Sequence, residues 1–118
     1  MKLDYDYTIS PPVTKYVKKL KDKRLKKMFI DAIFDEILID PYAGREKVGD
    51  LFGFYTWDIN YNNTQYRIAY TIDDEIVTVS YIFAGSHENF YRVLKKYLRV
   101  TGLEPLRFSA LHDKPLLR

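Results

Sequence analysis

Cysteine is absent from this chain, so neither a disulfide frame nor a thiolate-held metal contributes to its fold. Histidine is nearly absent too: His87 and His112 stand far apart, which argues against a zinc site. Long apolar runs are missing as well. The apolar stretches are short and broken by charge, and the opening MKLDYDYTIS alternates, so the chain offers neither a membrane-spanning helix nor the apolar segment of a signal peptide. A cytoplasmic protein with no membrane contact is the expectation. Glycine and proline number five each, with no repeat or low-complexity segment. What is present is ample core material: 47% apolar residues in a chain of 118, enough for one domain and too few for two.

The charge total is only mildly basic, 19 Lys and Arg against 16 Asp and Glu, but its distribution is uneven. Lys15, Lys18, Lys19, Lys21, Lys23, Arg24, Lys26 and Lys27 crowd into one segment diluted only by Asp22. Arg92, Lys95, Lys96 and Arg99 form a second group after His87. Such clusters attract phosphates and release counterions on binding, although a charged helix face is more often simply solvated.

Periodicity predicts the elements. LDYDYTI, residues 3 to 9, alternates Leu3, Tyr5, Tyr7 and Ile9 against polar residues and reads as a half-buried strand. Ser10 offers a cap, Pro11 and Pro12 suit a first helical turn, and Val13, Tyr16, Val17 and Leu20 follow at helical spacing. Asp22 is placed to cap a second helix carrying Leu25, Met28, Phe29, Ala32, Ile33 and Ile37, which must stop near Asp40 because Pro41 follows. The two helices should pack as a hairpin. DPYAGREKVGDLFG, residues 40 to 53, reads as a loop. FYTWDIN, QYRIAYTI and IVTVSYIFA, separated by the turns YNNT and DDE, read as an antiparallel meander. A helix from about His87 to Val100 follows, with Phe90, Val93, Leu94 and Tyr97 on one face. The predicted chain is therefore α+β, a unit over residues 1 to 100 with a tail over 101 to 118.

QYRIAYTI is the most informative strand. Tyr66, Ile68, Tyr70 and Ile72 point one way while Gln65, Arg67, Ala69 and Thr71 point the other. If the hairpin covers the apolar side, Arg67 projects from the opposite, open face in mid-sheet. Such an arginine is either ion-paired, with Asp58 as the nearest candidate, or is a phosphate clamp whose planar guanidinium offers paired donors. Trp57 alternates with Tyr55 and Ile59 and is assigned to the core.

The order strand, helix hairpin, glycine-containing basic loop, then YRIAYTIDDEIVTV and AGSHENFY, resembles the RelE/ParE superfamily of bacterial toxin–antitoxin toxins over residues 3 to 98. The features that carry the resemblance are Tyr66-Arg67 with Tyr70, the acidic turn, and the Gly-x-His-x-x-x-aromatic ending. It implies a small twisted antiparallel β-sheet with an N-terminal helical hairpin packed on one face and a C-terminal helix. It implies, too, ribosome-dependent cleavage of mRNA by attack of the RNA's own 2′-hydroxyl on the adjacent phosphate, without metal or cofactor. The implied partners are the ribosome, mRNA and a cognate antitoxin, through which the complex would bind operator DNA. An acidic antitoxin would lie across the Lys15 to Lys27 face or across the cleft. Two other readings stand beside it: the ParE branch, which poisons DNA gyrase by protein contact, and an inactive member that only binds an antitoxin.

Within the resemblance, Arg67 matches the strand arginine that contacts the scissile phosphate in RelE-type toxins. His87 matches the histidine of the YafQ-like ending, where RelE-type members more often have arginine, and Tyr91 stands at the aromatic four residues on. Cleavage needs a proton taken from the 2′-hydroxyl, charge stabilisation at the phosphate and a proton delivered to the leaving oxygen. His87 is the choice for general acid, since imidazole exchanges protons near neutrality. Arg67, with Arg45 and Lys47 from the loop, would hold the phosphate, and Arg92 and Lys95 would add RNA contacts. Tyr91 would stack on a base or orient a proton donor. Asp58 is the nearest acid and so the candidate base.

Overall fold

The computed structural model describes residues 4–103. The predicted tail beyond Leu103, with His112, and the strand's first apolar position Leu3 lie outside the described residues.

β1 (Asp6–Ile9) leads into α1 (Pro11–Lys19), with prolines in its first turn as expected. Ser10 does not cap with its side chain; its hydroxyl donates instead to the Ile82 carbonyl and ties the helix start to the sheet. Asp22 does cap α2 (Lys23–Asp31), accepting from the Arg24 and Leu25 amides at 2.9 and 3.1 Å. Past Asp31 the helix widens into a π-helical turn, Ala32–Ile37, which keeps Ala32, Ile33 and Ile37 buried and turns Phe34 outward onto the Tyr7 ring. The predicted loop holds two short 3₁₀ turns, Pro41–Ala43 and Gly49–Leu51, and between them a two-residue strand, β2 (Arg45–Glu46).

β3 (Tyr55–Tyr61), β4 (Thr64–Asp73) and β5 (Thr78–Ser86) form the predicted meander. The tight turn between β3 and β4 uses Asn62 and Asn63 at φ +48° and +62°, conformations asparagine tolerates better than most residues. The sheet order is β1-β5-β4-β3-β2, and β1 pairs with β5 in parallel, so the sheet is mixed rather than wholly antiparallel. Alternation in a strand specifies its faces; it says nothing about which edge the strand joins after a long helical excursion.

The hairpin of α1 and α2 covers one sheet face around Leu25, Phe29, Ile33, Ile68, Tyr70 and Tyr81. Each such large side chain taken from water contributes about 1.5–3 kcal/mol. Trp57 packs against this cluster, half-buried, as its alternation predicts. The opposite face, expected to be open, carries a second core in which Phe90, Leu94 and Leu98 of α3 (Phe90–Thr101) meet Leu51, Phe54, Ala69 and Ile82. A bulge makes this possible. Ala69 pairs with Phe83 and Tyr70 with Tyr81, so Ile82 is skipped. Tyr81 and Ala84 thus stay with the hairpin core while Ile82 and Phe83 both join the α3 side.

α3 begins at Phe90 instead of His87, because Asn89 sits in the left-handed region at φ +58° and breaks the helical path. Its buried stripe is Phe90, Leu94 and Leu98, with Val93 turned outward, a correction of one helical step to the predicted face. Gly102, at φ +76°, ends the helix with its amide on the Leu98 and Arg99 carbonyls.

Candidate functional site

The site lies on the α3 side of the sheet, where alternate residues of β3 and β4 point. Asp58 is directly opposite Arg67 in the ladder, Asn60 opposite Gln65, and Thr56 opposite Ala69. Arg67 Nε lies 3.3 Å from Asp58 Oδ1, and its Nη2 donates to Gln65 Oε1 at 2.6 Å. The Arg67 side chain is only 16% exposed. β2 places Arg45 opposite Thr56, where its Nη2 reaches Asp58 Oδ2 at 2.9 Å. One carboxylate therefore holds two guanidinium groups. An open cleft of about 390 Å³ borders this pair, lined by Ala43, Gly44, Arg45, Thr56, Trp57 and Asp58.

Tyr91, on the first turn of α3, completes the cluster from above. Lys47 Nζ lies 4.8 Å from its ring centroid and the Arg67 guanidinium carbon 5.2 Å. Burial pushes the Tyr91 hydroxyl up, but Lys47, then the Thr56 hydroxyl and the Arg67 charge, outweigh it and hold it below the ordinary 10.0. Thr56 Oγ1 is itself buried without a well-formed hydrogen bond among the described residues. Lys47 reaches this position because its amide bonds the Phe54 carbonyl at 2.9 Å, extending the β2 pairing by one step.

His87 is exposed in the turn between β5 and α3. Its amide donates to the Gln65 carbonyl at 2.7 Å, which continues the ladder past the Tyr66–Ser86 pair and sets His87 opposite Gln65, at a register position of the Arg67 face. Gly85 stands opposite Arg67 and leaves its neighbourhood without a side chain from β5. The structure thus gathers Arg45, Lys47, Asp58, Arg67 and Tyr91, with His87 at the margin. It does not gather Arg92 and Lys95 there. Arg92 is exposed, roughly opposite the Phe90–Leu94–Leu98 stripe by helical arithmetic, and Lys95 is paired with Asp50 at 2.9 Å. Thr56 and Gln65 were not assigned roles by sequence; their signal was the two-residue spacing from Asp58 and Arg67.

The first basic cluster lies elsewhere. Lys15, Lys18, Lys19, Lys21, Lys23, Arg24 and Lys27 are exposed on the helical hairpin, across the sheet from Arg67. Among the described residues no group of three or more His, Cys, Asp or Glu could hold a metal ion, and no helix is long and apolar enough to cross a membrane.

The sheet thus carries a helical hairpin on one face and a basic cleft beside Tyr91 on the other. Residues 7–95 match the family model of ParE-like toxins of type II bacterial toxin–antitoxin systems. The chain belongs to that family, within the RelE/ParE superfamily. The fold is shared with the toxin–antitoxin complex RelBE2 from Mycobacterium tuberculosis, at TM-score 0.59 and 22% identity, over 72% of this chain and 93% of that one. It is shared also with a doubly substituted variant of E. coli toxin RelE in the free state, at TM-score 0.55 and 24% identity, over 80% of this chain and 97% of that one. A comparison with curated proteins finds no match.

Proposed function

We propose that this toxin is a ribosome-dependent mRNA endonuclease. The observation that carries the reading is the cluster of Lys47 and Arg67 about Tyr91, with Arg45 beside them. Cations converging on a tyrosine of lowered pKa suit a phosphate and a proton in transit; a surface evolved only for packing has no need of them.

In the reaction, the 2′-oxygen of one nucleotide attacks the adjacent phosphorus, the bond to the 5′-oxygen breaks, and a cyclic phosphate and a free 5′-hydroxyl result. Arg67 and Arg45 leave part of their pairing with Asp58 to hold the non-bridging oxygens. The tyrosinate form of Tyr91, favoured by the Lys47 and Arg67 charges, takes up the 2′-hydroxyl proton, and His87 delivers a proton to the leaving oxygen. Asp58 is a poor base here, because both its oxygens already serve arginines; it positions them. The nucleophile belongs to the RNA, so the reading calls for no cofactor. The ribosome orders the mRNA strand in the cleft, and a cognate antitoxin, of the kind bound in the RelBE2 complex, covers the toxin when it is silent.

The test is a reconstituted translation reaction on a defined mRNA, with cuts mapped by primer extension. Cuts that need the ribosome and vanish with Arg67→Ala support the reading; intact mRNA on and off ribosomes defeats it. The ParE-like family match favours one second reading, inhibition of DNA gyrase by protein contact. A supercoiling assay separates the two, because a gyrase poison would retain activity in Arg67→Ala.

A further inference from the structure

The segment that brings Arg45 and Lys47 to the cleft is short, and its course is set by Tyr70, Tyr42, Asp74 and Tyr5. Tyr70 is fully buried, and its hydroxyl donates to the Pro41 carbonyl at 2.6 Å. Tyr42 donates to Asp74 Oδ2 at 2.5 Å, and Tyr5 donates to the other oxygen of the same carboxylate at 2.7 Å. The Tyr42 ring meets Tyr55 edge-on at 5.7 Å, and Tyr55 stacks on Tyr70 at 5.8 Å. Gly44 closes the arrangement, since a Cβ there would collide with the Tyr70 hydroxyl. Pro41, Tyr42 and Gly44 are thereby each held, and the next residue is Arg45.

We infer that Tyr70 and Asp74 are positioning residues for the candidate site, fixing the Pro41–Gly44 segment so that Arg45 and Lys47 stand over the Asp58–Arg67 pair. Neither touches the reacting groups. Asp74, in the turn between β4 and β5, acts through Tyr42 and is steadied by Tyr5; Tyr70 acts through Pro41 and Gly44. Burial and the Asp74 carboxylate push the Tyr5 hydroxyl up to about 12, so at neutral pH it remains a donor. Charged donors without such a frame would sample many positions, and a misplacement of ~1 Å at a reacting centre can cost ~100-fold in rate.

The inference rests on the endonuclease reading for its kinetic arm only. Tyr70→Phe and Asp74→Ala should each lower the single-turnover cleavage rate by about tenfold, within the range that misplacement allows, while Asp74→Asn, whose oxygen accepts from one tyrosine while its amide donates to the hydroxyl oxygen of the other, retains more activity than Asp74→Ala. In cycles on the Arg45→Ala/Lys47→Ala variant, adding Tyr70→Phe or Asp74→Ala should cost little more than that variant alone. Amide hydrogen exchange should quicken over residues 42 to 47 in both variants and stay unchanged in the centres of β4 and β5. Additive losses in the cycles, or exchange that quickens throughout the sheet, would make these residues general stabilisers and overturn the inference. If the wild-type protein does not cleave RNA, the endonuclease reading fails and the exchange arm still decides: unchanged exchange at residues 42 to 47 refutes the positioning role, and local quickening sustains it.

Discussion

Arg67 and Asp58 face each other across the β3–β4 ladder with Nε 3.3 Å from Oδ1, and the second oxygen of that carboxylate holds Arg45 at 2.9 Å. The same carboxylate thus occupies the donors that a phosphate would need. Asp58→Asn keeps the shape and some hydrogen bonding, so cleavage should fall only modestly. Arg67→Ala removes a charge-stabilising donor and should cost about 100-fold or more in rate. Single-turnover kinetics of the two variants measure this; loss in Asp58→Asn as deep as in Arg67→Ala would restore Asp58 as the base.

Tyr91 should be the first tyrosine to ionise. Its hydroxyl is held below 10.0 by Lys47, Thr56 and Arg67 against the opposing effect of burial. A folded pKa below the unfolded one means that this group adds stability as pH rises through its folded value. The gain is complete near the ordinary tyrosine value and is lost as pH falls back through the folded one. Ultraviolet titration of tyrosinate, wild type minus Tyr91→Phe, should show the early transition, and Lys47→Met should move it upward.

The hairpin core should be intolerant of truncation. Phe29 is fully buried between the Tyr16 and Tyr66 rings, so Phe29→Ala should cost about 3–5 kcal/mol. Denaturant unfolding of the free toxin gives the value. Loss under ~1 kcal/mol would mean that the surrounding rings collapse into the vacated space.

Val77 carries local strain. It sits at φ +49° in the β4–β5 turn, a conformation that costs a β-branched residue roughly 1–2 kcal/mol. Val77→Asn should raise the unfolding free energy by up to about 1 kcal/mol, with cleavage unchanged, as read by thermal unfolding and the primer-extension assay.

Much of the site was legible because strand periodicity is local. Asp58 and Arg67 each sit on a strand whose alternation assigns a face, and Arg45 and Lys47 stand in a short loop before it. Arg92 and Lys95 looked equivalent to them in sequence, since a basic helix does not announce which side packs. The one-residue bulge at Ile82 and the left-handed Asn89 decided that, by reassigning Phe83 and by starting α3 after the histidine.

By itself the sequence determined the elements, the α+β class, the hairpin's buried stripe and the residue types able to act on a phosphate, because periods of two and of 3.6 residues are properties of consecutive positions. Only the tertiary structure decided that β1 enters parallel at the β5 edge, that α3 closes the supposedly open face, and that Lys47, Arg67 and Tyr91 converge. These are relations between distant segments, set by which apolar surfaces bury one another, and no window of neighbouring residues contains them.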